Sequence, residues 1–230
     1  MTKVDTKLAA NGRASLAFYA FGRVLSLGFC RVWMRLTAEG LEHVPRSGPF
    51  VLAPVHRSNM DILIVAICTK RRMRYMGKDS LWKHQPASWL LSALGGFPVS
   101  RDVADREAVD RCVGVLVGGE PLVLYPEGER KNGPVVQPLK DGAAYIALRA
   151  GVPIVPVGIG GSEHVMSRGS KMIHPHKVHV VVGPPITAPP SDSGRVTKAQ
   201  RGALTEQLHA SLQELFDRAE ARANKRDGGR

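Results

Sequence analysis

Apolar residues recur at helical spacing from 14 to 36: Leu16, Phe18, Phe21, Val24, Leu25, Leu27, Phe29, Val32, Trp33 and Leu36 alternate with Ser15, Arg23, Ser26, Arg31 and Arg35. The polar positions return about every four residues, so the spacing predicts an amphipathic helix with a narrow polar stripe. Its unbroken apolar runs are far below the ~18 residues of a membrane span. Two placements fit such a helix. It lies in a membrane interface, arginines toward headgroups and aromatics toward acyl chains, or it packs on the protein's own core.

Beyond residue 36 the pattern switches between short apolar runs and longer stretches of helical period. Strands are predicted near 36–41, 50–53, 74–77, 97–100, 122–125, 154–157 and 178–182, and helices near 61–70, 87–94, 104–117, 142–150 and 197–223. This alternation predicts one α/β domain over 1–230, with a mostly parallel, mixed sheet of about seven strands flanked by helices and preceded by the helical segment 14–36. The core is expected over 40–183, the Pro-rich stretch 183–190 reads as a connector, and 224–230 reads as a frayed tail. Ligands of such folds gather at the carboxyl ends of the strands. His56, Arg101 and Glu127 each follow a predicted strand, so all three are expected to meet in one crevice.

A hydrophobic content of 43% with 23% charged residues excludes global disorder. The net charge of +12 points to an anionic partner, and aromatics at 6% without any nucleic-acid-binding motif argue against nucleic acid. Cys30, Cys68 and Cys112 are odd in number and widely spaced, as expected in a reducing compartment. Arg23 interrupts the first apolar stretch and no small-x-small cleavage site follows, so no secretory signal is expected.

The chemistry concentrates in the run from Val55 to Asp61. His56 falls in a loop after an apolar strand that ends at Pro54, and Asp61 falls in the first turn of the next helix, with Ser58 or Asn59 as its N-cap. Fully extended, the five residues would part the two side chains by roughly 17 Å, so the segment must turn for them to meet. In that turn Asp61 would accept the Nδ1 proton of His56 and leave Nε2 free to take a proton from a hydroxyl. Ser58-x-x-Asp61 is also a capping-box pattern, which needs no catalysis.

Three further runs carry less by themselves. In 95–101 Arg101 emerges at a strand end, where a guanidinium can hold a phosphate. In 125–130 Pro126 and Gly128 turn the chain and present Glu127 to a polyol and Arg130 to a phosphate. The strand-like 151–157 has no reactive group. Lys70, Arg71, Arg72 and Arg74 read as cations at a helix end, as a lipid-headgroup contact, or as both. His174, His176 and His179 lack a completing cysteine or carboxylate, so no metal is expected.

In this order and spacing the four runs resemble the motifs of the glycerolipid acyltransferase family that includes the 1-acylglycerol-3-phosphate acyltransferases. His56 and Asp61, with Ser58 between them, match its His-x4-Asp motif; Gly96, Phe97 and Arg101 match the second, and Pro126, Glu127, Gly128 and Arg130 the third. Lys78, Lys140 and Gly142 also stand where such proteins commonly have them. Val55, Tyr125 and Glu129 depart from the usual asparagine, phenylalanine, and threonine or serine.

The resemblance implies an enzyme that moves a fatty acyl chain from acyl-CoA or an acyl carrier protein to lysophosphatidic acid, giving phosphatidic acid. His56 and Asp61 would be catalytic, and Arg101, Glu127, Gly128, Arg130 and Lys78 would bind substrate. No cofactor is expected beyond the thioester co-substrate. Membrane lipid, the lysophospholipid and the acyl donor are the expected partners, at the cytoplasmic face of the cell membrane. Glycerol 3-phosphate or another lysolipid or glycolipid is the alternative acceptor, and a non-catalytic lipid-binding module the alternative class.

Overall fold

Two of the predicted strands are apolar at nearly every position, and both run through the middle of the sheet, where helices cover each face. They are Val51–Pro54 and Ile154–Gly160, buried throughout. The structure is a computed structural model that describes residues 12–83, 85–99, 106–187 and 196–225. In chain order its elements are α1 (Arg13–Trp33), β1 (Thr37–Glu39), β2 (Val51–Pro54), α2 (Asp61–Ile64), β3 (Arg74–Lys78), α3 (Gln85–Ala93), β4 (Gly96–Val99), α4 (Arg106–Val117), β5 (Leu122–Val123), α5 (Gly142–Ala150), β6 (Ile154–Gly160), α6 (Ser162–Val165), β7 (His179–Val182) and α7 (Lys198–Asn224).

The seven strands form one sheet in the order β1-β7-β6-β2-β5-β3-β4. Every neighbouring pair is parallel except β6 with β7, which makes the sheet mixed as expected. Because β5 lies directly beside β2, the loops leaving their carboxyl ends are neighbours. That adjacency brings residues 56–61 and 125–130 together.

On one face α7 packs against β6 at backbone contact. A Cβ added to Gly158 would sit 2.3 Å from the Leu215 carbonyl oxygen, and one added to Gly160 would sit 2.2 Å from the carbonyl carbon of Ala219. Glycine in a strand interior is the sequence mark of such an approach. The helix opens with a capping box: Gln200 N–H donates to Thr197 Oγ1, and Thr197 N–H donates to Gln200 Oε1. Leu204, Leu208, Leu212, Leu215, Phe216 and Ala219 then line its buried face.

The helix predicted over 61–70 is shorter. One α-turn, α2, gives way to a 3-10 turn at Val65–Ile67. Ile62, Ile64, Val65 and Ile67 are β-branched and crowd a helix. Arg23 of α1 also takes the carbonyls that would continue it, since its Nε–H donates to Ala66 O and Thr69 O at 2.9 Å each.

The orientation of α1 combines elements of both placements, one face packed on the core and the apolar face outward. The first half of its polar stripe faces the protein, where Ser15 is buried, Tyr19 donates its hydroxyl to the Arg71 carbonyl and Arg23 points inward, while Arg31 and Arg35 are exposed. Leu27, Cys30 and Met34 seal the contact. Phe21, Val24, Leu25, Phe29, Val32 and Trp33 face outward, with Val24 65% and Val32 82% exposed.

The basic run after α2 is largely internal. Arg71 donates to the carbonyls of Gly48 and Gly119, while Arg72 and Arg74 are buried and paired with Glu120. Those three cations hold the chain together, and Lys70 alone is fully exposed.

Candidate active site

His56 leaves the end of β2 and meets Asp61 as the turn requires: Nδ1 lies 2.9 Å from Asp61 Oδ2. Asp61 is wholly buried, and the same oxygen accepts the backbone N–H groups of Arg57 and Ser58, both at 2.8 Å. Ser58 Oγ in turn accepts Met60 N–H. The N-cap of α2 is Met60, without a side-chain cap bond, so neither Ser58 nor Asn59 caps the helix as expected; Asp61 instead accepts amides of the loop that precedes it. Three donors converge on Oδ2, fixing Nδ1 as the protonated nitrogen and presenting an ionised acceptor to it.

The imidazole stacks on Tyr125, with ring centroids 3.9 Å apart and planes 23° from parallel. Burial pushes the Tyr125 phenol well above its usual range, and the Asp61 carboxylate adds to that. Its hydroxyl is buried without a hydrogen-bond partner among the described residues, so it serves as a flat neutral platform. The His56 side chain stays 16% exposed, and Nε2 has no partner among the described residues. A nitrogen with a lone pair thus faces the opening at the carboxyl end of the sheet.

No cysteine is poised to compete as a nucleophile. Burial pushes the thiols of Cys68 and Cys112 up to about 12, and that of Cys30 to about 11.

Glu127 does not face an acceptor polyol. It is 0% exposed, like Arg57, whose Nη1 donates to both its oxygens at 2.7 and 2.9 Å. Oε2 also accepts His56 N–H at 3.1 Å, and Oε1 accepts Gln137 N–H at 3.1 Å. A carboxylate with this many donors has no capacity left for a substrate. Sequence reading missed Arg57 because a lone arginine in a polar loop reads as solvated; its partner lies 70 residues away.

Gly128 acts through its backbone. It adopts φ +77°, and a Cβ there would strike the Lys140 side chain at 2.7 Å. The turn it makes returns the chain to the histidine, where Lys131 N–H donates to His56 O at 2.9 Å.

Arg130 sits between them, half-buried, its guanidinium without a hydrogen bond or ion pair among the described residues. Glu129, the added acid, is held by Lys131 at 2.8 Å and Arg168 at 3.3 Å, and the Lys131 bond draws its carboxyl below the ordinary range. The Arg130 guanidinium is therefore not committed to Glu129. Arg101 lies outside the described residues, as does the side chain of Lys78.

Beside α2 opens a cavity of about 270 Å³, lined by Ile62, Leu63, Tyr75, Met76, Trp82 and Leu91 among others, with Arg23 and Ser26 on the α1 side. Its size approaches the lower end of ligand pockets. Ile62, Met76 and Leu94 around it are exposed.

The chain is similar to several known proteins. It is 31% identical over 159 residues to the chloroplastic 1-acyl-sn-glycerol-3-phosphate acyltransferase BAT2 of Brassica napus, covering 67% of this chain and 46% of that protein. It is 25% identical to 1-acyl-sn-glycerol-3-phosphate acyltransferase alpha of Homo sapiens, covering 85% of this chain and 68% of that protein. The chain thus spans about half the length of the plant relative. The crystal structure of the 1-acyl-sn-glycerophosphate acyltransferase PlsC from Thermotoga maritima matches with a TM-score of 0.65 at 23% identity, covering 88% of this chain and 87% of that one, a likeness of fold. Residues 35–160 match the Acyltransferase family model, a span that contains the dyad, the 125–130 corner and the strands that bring them together, and the chain belongs to that family.

Proposed function

We propose that this protein is a 1-acylglycerol-3-phosphate acyltransferase that moves an acyl chain from a thioester, acyl-CoA or acyl carrier protein, to the free hydroxyl of lysophosphatidic acid. The observation that carries the reading is the 2.9 Å contact between His56 Nδ1 and buried Asp61, with Nε2 left open at the carboxyl end of the sheet. Nε2 takes the hydroxyl proton as the oxygen attacks the thioester carbonyl. The C–S bond then breaks, and the imidazolium returns its proton to the departing thiolate. The N–H groups of His56, Arg57 and Ser58 are committed to the two carboxylates, so the oxyanion is held by donors outside this loop.

Arg130 holds the acceptor phosphate, joined by Arg101 of the second motif and by Lys78, which stands where such proteins commonly have a lysine. The apolar cavity beside α2 houses hydrocarbon, and no metal or resident cofactor takes part. To test the acceptor, purified protein in vesicles is given one labelled acyl donor with lysophosphatidic acid, glycerol 3-phosphate, an uncharged monoacylglycerol or other lysolipids. Fastest transfer to lysophosphatidic acid supports the reading; preference for glycerol 3-phosphate reassigns the acceptor, and binding without any transfer supports the lipid-binding module.

The outward apolar face of α1 supports a reading in which the protein sits on a membrane surface, and we propose the cytoplasmic side. A spanning helix is surrounded by lipid, whereas α1 is fastened to the domain along its length, so it lies in the interface with one face in lipid. By length and composition alone it would pass as a span. Val24→Asp with Val32→Asp, both at exposed positions, is expected to abolish flotation with anionic vesicles while shifting stability by no more than ~1 kcal/mol. Undiminished flotation would place the contact elsewhere.

A further inference from the structure

We infer that Arg57 and Glu127 form a buried brace that positions the catalytic histidine, and that Glu127 contributes to acyl transfer without touching the acceptor. The inference rests on the acyl-transfer reading above.

Three consecutive backbone amides, those of His56, Arg57 and Ser58, point at two carboxylates. Glu127 takes the first at 3.1 Å, and Asp61 takes the other two at 2.8 Å each. The loop is thus clamped from the β5 side by one acid and from the α2 side by the other. Arg57 neutralises only one of them. Its Nη1 reaches both oxygens of Glu127 and the His56 carbonyl, its Nη2 donates to Val135 O at 3.2 Å, and its guanidinium lies 4.8 Å over the Phe216 ring. The guanidinium makes no bond to Asp61 among the described contacts.

This division of charge has a chemical consequence. Asp61 must remain an uncompensated anion to stabilise the imidazolium that forms when His56 takes a proton, while Glu127 supplies a strong acceptor for the His56 N–H without a second net negative charge at the site. The pair also ties four segments together: the loop after β2, the corner after β5, residues 135–137, and α7 through Phe216. A local shift of about 1 Å in such a loop costs on the order of 10²-fold in rate.

Two variants separate positioning from substrate binding. A buried ion pair replaced by apolar groups of similar volume often leaves a protein folded. The double variant Arg57→Met, Glu127→Met is therefore expected to unfold cooperatively near the wild-type temperature, keep KM for lysophosphatidic acid within about twofold, and lose roughly 10- to 100-fold in kcat.

Glu127→Gln retains an acceptor for His56 N–H but leaves Arg57 uncompensated beside the histidine. The groups facing His56 are then Asp61, Arg57, neutral Tyr125, and the 129–131 turn, in which Glu129 pairs with Lys131 and Arg130 stands open. The extra cation disfavours imidazolium, so the acid limb of the kcat/KM profile moves to lower pH in this variant.

A folded double variant with wild-type kcat would overturn the brace. So would a rise in KM at unchanged kcat, which would return Glu127 to the acceptor. If the double variant fails to fold, Glu127→Gln decides alone, and an unmoved acid limb with wild-type kcat refutes the inference. Wild-type protein assayed alongside keeps the two levels apart. Absence of wild-type transfer sinks the acyltransferase reading, whereas wild-type transfer with unaffected variants sinks only the brace.

Discussion

Replacement of His56 by alanine is expected to leave the protein folded and to reduce acyl transfer by about 10²- to 10⁴-fold, the usual contribution of a positioned general base. Among the described residues the imidazole offers the lone pair open to a substrate, and apart from its ring contacts with Asp61 and Tyr125 the contacts of residue 56 are made by its backbone, which alanine retains. Its N–H still donates to Glu127, and its carbonyl still accepts from Lys131 and Arg57. What is lost structurally is the Nδ1 hydrogen bond to buried Asp61 and one stacked ring on Tyr125, the ring worth roughly 0.5–1.5 kcal/mol beyond its buried area. A thermal melt beside the rate measurement separates the two effects. A folded variant that transfers at the wild-type rate would remove His56 from the chemistry.

Asp61→Asn is expected to be nearly as damaging, for a different reason. The side chain keeps its shape, but the charge that stabilises imidazolium is gone, and an amide N–H can turn toward Nδ1. That would force the ring proton onto Nε2, the atom that must accept. In the serine-protease triad the equivalent exchange costs about 10⁴-fold in kcat, and a similar loss is expected here.

Asp61→Asn also weakens the acceptor for the amides of Arg57 and Ser58, both buried, at a cost of roughly 1–3 kcal/mol. The stability loss should be visible as a lowered melting temperature, while kcat falls far more than partial unfolding can explain. Activity within tenfold of wild type would show that Asp61 is a helix-terminal acceptor and nothing more.

The dyad was legible because it is local. Five residues, a strand-ending proline and a helix start are enough to bring His56 to Asp61, and all three are written in the order of the chain. The alternation of apolar runs likewise located all seven strands, and the helix predicted over 197–223 matches α7.

What could not be read depends on which strands become neighbours. Arg57 and Glu127 look like two ordinary charges until β2 and β5 are placed side by side. The resemblance assigned Glu127 to the substrate because nothing in its own segment reveals a buried arginine waiting across the sheet.

The orientation of α1 was hidden for a related reason. Periodicity finds a polar stripe but cannot tell which way it faces, and here Ser15, Tyr19 and Arg23 serve the carbonyls and side chains of 66–73. The basic run 70–74 was misleading in the same way, because Arg72 and Arg74 answer to Glu120, some 46 to 48 residues further on.

The most direct measurement follows thiol release and lipid product together, with purified protein in vesicles, a labelled fatty acyl thioester and lysophosphatidic acid. The expected result is one free thiol for each labelled phosphatidic acid formed, with the label on the hydroxyl that was free in the acceptor and both signals lost in His56→Ala. Thiol release without phosphatidic acid, or equal product from His56→Ala, would contradict acyl transfer by this histidine.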